Sequence, residues 1–180
     1  MADHPPNDLL AEVARAGAAM TGARLGWLAA MGCARGFIRS GGVGEGRVRF
    51  LEDRRYELGD DGVEALVLGA WDGRPNISLL VDLIALEIGG GARWGARLGI
   101  AVALSGPSVS PLSDTRLRVF QQPWHWLQGS AEGMWILDPS TADARDLLLP
   151  FSDVVADDLE HGRLIDEVLR RPLPRVWVAP

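Results

Sequence analysis

The sequence predicts an α/β or α+β fold: an N-terminal helical hairpin, a mixed sheet, and a C-terminal unit of alternating strands and helices whose strands run parallel. Three observations predict it. Apolar residues recur at helical spacing over residues 7–31, and short branched apolar runs punctuated by glycine and proline fill residues 47–87. From Leu117 onward, strand-like and helix-like stretches alternate. One domain over 1–180 is expected from the length, with a helical part at 7–32, a sheet part at 47–104 and a β/α part at 115–180.

The first helix follows Pro5 and Pro6, has Asn7 or Asp8 placed to cap it, and carries Leu9, Leu10, Val13, Ala14, Ala16 and Ala18. Thr21 opens a second helix over 23–30, which turns Leu25 and Leu28 inward and ends near Gly32. A glycine-dense connector from Arg39 to Gly46 leads into a half-buried strand at Arg47 to Glu52, where polar and apolar residues alternate. Asp53, Arg54 and Arg55 turn the chain towards a short partner strand at Tyr56 to Leu58. Two further strands, 64–71 and 79–87, are joined by a turn at Asp72 to Asn76, and Gly89 to Gly91 closes the second. The stretch Arg93 to Leu104 fits either period; its alanines and length favour a helix.

After a loop over 105–114, Leu117 to Phe120 reads as a strand, Pro123 opens a short helix through Trp126 and Leu127, and Gly133 to Leu137 is the next strand. A helix over 142–149, a strand over 153–156, a helix over 159–169 and a last strand at Arg175 to Val178 complete the alternation. Such alternation implies a parallel sheet with helices on its faces.

Composition excludes several classes. The net charge of −6 and a pI near 5.0 argue against broad attraction to phosphate backbones, although a local basic face stays open. All 18 basic side chains are arginine, so a phosphate-binding loop ending in lysine, a Schiff-base lysine and a kinase-type lysine are absent. Cys33 is the only cysteine, which rules out an intrachain disulfide and a multi-thiolate zinc site; it reads as a small core residue. Residues 1–8 lack a basic region followed by an apolar stretch, and no run approaches the ~20 apolar residues of a membrane span. A cytoplasmic protein with no membrane partner is the expectation.

In an open parallel sheet, ligands bind in the crevice beyond the carboxyl ends of the strands. Asp138 follows one strand directly, Asp157 and Asp158 follow another, and Glu160 and His161 lie in the helical turn beyond. If those strands are neighbours, the groups converge. Asp138, Asp158 and Glu160 would then suit Mg²⁺ or Mn²⁺, with Asp157 steadying a ligand and His161 moving a proton or touching phosphate. The same positions suit a second reading: Asp157 and Asp158 cap a helix, and Asp138-Pro139-Ser140 opens a turn. Arg47, Arg49, Arg54 and Arg55, with Arg35, Arg39 and nearby aromatics, could contact nucleic acid, or could form the solvated face opposite Val48 and Phe50. Trp124-His125-Trp126 could cradle a ligand, and the seven tryptophans equally suit a core or a self-association surface.

Two resemblances rest on these residues. Met134 to Asp138 and Val154 to Glu160 are similar to the two strand ends of a Toprim domain, the α/β module of primases and topoisomerases that holds a divalent cation. Here Asp138 stands where that family has glutamate, the acid-x-acid unit is Asp158-Leu159-Glu160, and the interval is short, which implies a degenerate relative. More broadly, Arg39 to Val43, Val81 to Ala85 followed by Arg93-Trp94, Pro123 to Leu127 and Asp157 to Gly162 resemble small proteins of bacterial phages and mobile elements, often encoded near replication genes. That resemblance implies an accessory or binding protein, non-enzymatic or catalytically degenerate, with nucleic acid or replication proteins as partners. A divalent-metal enzyme acting on nucleic acid or phosphate esters, and a structural self-associating subunit, are the alternatives.

Overall fold

The computed structural model of the protein describes residues 8–33, 35–38, 42–72, 79–89, 93–105, 109, 116–129 and 131–170. The fold is α+β. Asp8 accepts a hydrogen bond from the Ala11 N–H at 2.9 Å and starts α1 (Leu9–Ala19); Thr21 accepts from the Arg24 N–H at 3.1 Å and starts α2 (Gly22–Ala30). The helices succeed one another as the spacing predicts, yet Val13 and Ala16 of α1 join one apolar cluster and Leu28 of α2 another. Leu25, expected to turn inward beside Leu28, is 39% exposed.

After a single turn, α3 (Arg35–Phe37), the chain enters β1 (Val43–Phe50), which starts inside the expected glycine connector. Gly44 lies beneath α1, where an added Cβ would collide with the Ala16 Cβ. Glycine there permits close packing rather than a turn. With β2 (Tyr56–Leu58), β3 (Val63–Asp72), β4 (Leu79–Glu87) and β5 (Trp94–Ala96) it forms a five-stranded antiparallel sheet in the order β2-β1-β3-β4-β5. The continuous apolar runs of β3 and β4 follow from burial on both faces. Leu66, Leu68, Ile84 and Leu86 face one side; Ala65, Val67, Leu83 and Ala85 face α1 on the other.

The helix expected over Arg93 to Leu104 is instead β5, a tight loop, and β6 (Ala103–Ser105). The reason is Asp82. Its carboxylate accepts the N–H groups of Leu98, Ile100 and Ala101 at 2.8–3.1 Å, donors that a helix through this stretch would need for itself. Gly99, at φ +76°, takes a left-handed conformation that also interrupts a helix.

The C-terminal alternation follows as read: β7 (Leu117–Phe120), α4 (Pro123–Gln128), β8 (Met134–Ile136), α5 (Ala142–Leu148), β9 (Val154–Ala156) and α6 (Leu159–Arg170). These strands and β6 make a second, mixed sheet in the order β6-β8-β7-β9, with β7 parallel to both β8 and β9. Leu104, Phe120, Trp135 and Leu137 on one face share an apolar cluster with α2, α4 and the first sheet. Leu117, Val119, Met134 and Ile136 on the other face pack against α5 and α6. The expected last strand at Arg175 to Val178, Arg39 and the turn at Gly73 to Asn76 lie outside the described residues.

Candidate functional site

Two neighbouring parallel strands, β7 and β8, send their chains to opposite faces of the sheet. After β7 the chain enters α4, on the face shared with the first sheet; after β8 it enters α5, on the other face. Chains leaving in opposite directions cannot cover the gap between the strand ends, and ligands of α/β sheets bind at such a switch point. A crevice of about 280 Å³ lies there. Its walls come from the end of β7 and the start of α4 (Phe120, Gln121, Gln122, Pro123), from the end of β8 (Trp135, Ile136, Leu137, Pro139), from α6 (His161, Leu164, Ile165) and from Trp94 of the other sheet. Trp94 and Trp135 meet edge to face with ring centroids 5.4 Å apart.

The acidic groups are not gathered around this crevice as a cation site. Convergence of Asp138 with Asp157 and Asp158 requires β8 and β9 to be neighbours, and β7 runs between them. Two strand spacings, roughly 10 Å, therefore separate the strand ends that carry them. Among the described residues no group of three His, Cys, Asp or Glu side chains is placed to hold a metal ion. Asp138 Oδ1 accepts the Ser140 N–H at 2.8 Å, and Thr141, next in the turn, caps α5 by accepting the Ala144 N–H at 3.2 Å. Asp158 Oδ1 accepts the His161 N–H at 2.8 Å and caps α6. Glu160 stands exposed in the first turn of α6.

Asp157 and His161 are the two sequence candidates that bear on the crevice. Asp157 is only 12% exposed at its side chain and ties β9 to β7: Oδ2 accepts the Gln121 N–H at 3.0 Å, and Oδ1 pairs with Arg118 at 3.4 Å. His125 Nδ1 of α4 lies 3.6 Å from Oδ2. The Asp157 N–H in turn donates to His161 Nδ1 at 3.4 Å. His161 is 4% exposed, and burial pushes its imidazole pKa below the usual value, with Asp157 and Asp158 opposing the shift. Burial thus favours the neutral form of the ring.

No family model, no curated protein and no solved structure matches the chain. No helix among the described residues is long and apolar enough to cross a membrane.

The basic stretch is engaged within the protein. Arg47 donates to the Gly62 carbonyl at 2.7 Å, Arg49 pairs with Glu57 at 2.6 Å, and Arg55 pairs with Asp53 at 3.1 Å. The Arg54 guanidinium sits 5.5 Å from the Trp94 ring centroid. Arg47 and Arg49 are exposed opposite buried Val48 and Phe50, as the alternation predicts. In the expected aromatic cradle, Trp126 is core, donating from Nε1 to the Gly133 carbonyl at 3.2 Å, and Trp124 packs edge-on against Trp27. Cys33 is buried, and burial pushes its thiol pKa up.

Sequence reasoning missed the crevice walls Trp94, Gln121 and Gln122, and two buried polar centres. Asp82, 0% exposed, also accepts the Leu83 N–H. Glu12 of α1 accepts from the Tyr56 hydroxyl at 2.8 Å and from Arg97 at 3.0 Å, locking the helix to the sheet; burial and Glu12 together push the Tyr56 hydroxyl pKa up. A signal for both was present: each is an acid standing among apolar residues at a buried period.

Proposed function

We propose that the protein is a non-catalytic binding module, an accessory factor of a phage-like or mobile element, whose ligand is a small, uncharged molecule seated beyond β7 and β8. The observation that carries this reading is the lining of the crevice: aromatic and aliphatic walls, two amides and one imidazole, with no Arg, Asp or Glu among the described residues that line it. An ionised ligand would be desolvated there without a counter-charge. Small-molecule sites usually combine apolar walls with a few polar groups in ~300–1,000 Å³; at about 280 Å³ this crevice lies just below that range and suits a fragment-sized ligand. The resemblance to phage proteins encoded near replication genes makes nucleic-acid metabolism the context of this role. Catalysis through Mg²⁺ or Mn²⁺ has no part in the reading, because Asp138 and Asp158 are engaged with backbone N–H groups.

A fragment library titrated against the protein tests this, with the indole N–H resonances of Trp94 and Trp135 as the readout. Fragments are expected to shift both, and the filling substitution Leu164→Trp is expected to abolish the shifts while far-UV circular dichroism stays unchanged. Fragments that bind Leu164→Trp as well as the native protein, or a library that moves neither indole, would reject the crevice as the ligand seat.

A further inference from the structure

Resting on the crevice as the ligand seat, we infer that its ligand is a neutral, planar heteroaromatic ring system whose edge accepts a hydrogen bond from His161 Nε2–H. The tautomer comes first. Because Nδ1 accepts the Asp157 N–H, the single proton of the neutral ring resides on Nε2. Among the described residues nothing bonds to Nε2, and no fully enclosed side-chain nitrogen or oxygen of those residues lacks a partner. Nε2 of this 4%-exposed side chain therefore opens on the crevice that His161 lines, as a fixed donor awaiting an acceptor.

The walls define the rest of the ligand. Trp94 and Trp135, packed edge to face at an interplanar angle of 83°, both line the crevice, and an aromatic ring lodged against this pair gains aromatic contact from two indoles. A volume of about 280 Å³ is enough for one or two fused rings. Gln121 and Gln122 at the mouth each offer a donor and an acceptor, which suits the mixed edge of a nitrogen heterocycle. Among the described residues no charged side chain lines the crevice, which disfavours phosphate and carboxylate groups in its deep part.

The test pairs 7-azaindole with indole, two bicycles of one shape that differ in the acceptor nitrogen carried by the first. Dissociation constants from the Trp94 and Trp135 shifts are expected to be about threefold to tenfold lower for 7-azaindole, the range of one net hydrogen bond. In His161→Asn, whose amide oxygen can still accept the Asp157 N–H but which places no donor at Nε2, the preference is expected to fall to about one. In His161→Gln, whose amide nitrogen reaches towards Nε2, it is expected to return in part. Imidazole ¹⁵N shifts of the native protein at pH 7.5 give a second readout and should report the Nε2–H tautomer. Equal affinity for the two probes, a preference that survives in His161→Asn, or an Nδ1–H tautomer overturns the inference while leaving the crevice as a seat. Binding of neither probe overturns both. Should His161→Asn fail to fold, the native ratio and the tautomer decide.

Discussion

Asp82 holds the 98–101 loop through three N–H groups besides that of Leu83, and it is wholly buried. Asp82→Ala would leave these donors without an acceptor, and a cost of about 3 kcal/mol follows from ~1–3 kcal/mol for each unsatisfied buried group, reduced by loop relaxation. Urea denaturation is the measurement, and a loss below about 1 kcal/mol would contradict the account. His161 predicts a pH dependence. Its folded pKa is lowered, so as pH falls through about 6.5 the unfolded chain takes up a proton that the folded protein refuses. Stability is therefore full above that value and falls below it by at most about 1.4 kcal/mol per pH unit, until the buried ring itself protonates. The difference in denaturation free energy between the native protein and His161→Gln should narrow between pH 7.5 and 5.5; a constant difference would remove His161 from the titration. At this scale the sequence marked His161 and Asp157 but could not assign their partners. Which amide meets which oxygen depends on β7 lying beside β9, contacts 36 residues apart in the case of Gln121 and Asp157.

The helix starts were legible in part. Asp8, Thr21 and Asp158, among the caps the sequence offered, each accept a backbone N–H three positions on, because that role is local. Thr141 caps α5 in the same way without having been singled out, and Asp157 is spent on β7 instead. Asp158→Ala should cost about 1 kcal/mol through loss of that cap. Calorimetry with Mn²⁺ should give the same heats for the native chain and for Asp158→Ala; a binding event abolished by the substitution would restore the metal reading. The stretch from Arg93 to Leu104 was misread because local composition favoured a helix while its N–H groups were claimed by an acid in another strand. Tertiary demand outweighed a propensity difference of a few tenths of a kcal/mol per residue.

Over the whole molecule, alternation revealed a parallel sheet but not its order. The same sequence of β7, β8 and β9 is compatible with β9 beside β8, which would have joined Asp138 to Asp158; the chain instead crosses to the far side of β7. The apolar cluster that holds Leu66, Leu68 and Leu86 of the first sheet also contains Leu104, Phe120 and Trp135 of the second. The two sheets should consequently unfold together. Leu68→Ala, at a site 0% exposed, should cost about 2–5 kcal/mol and accelerate amide exchange in β7 and β8 as much as in β3. Protection retained in β7 and β8 would mean that the sheets open separately. Trp94 gives this seam a further meaning. Among the described residues it is the crevice wall supplied by the first sheet, and it touches Trp135 of the second, so an occupant wedged against both indoles would act as a rivet between sheets that also share side-chain packing. Occupancy would then be legible far from the crevice, as slower opening of strands that no ligand touches.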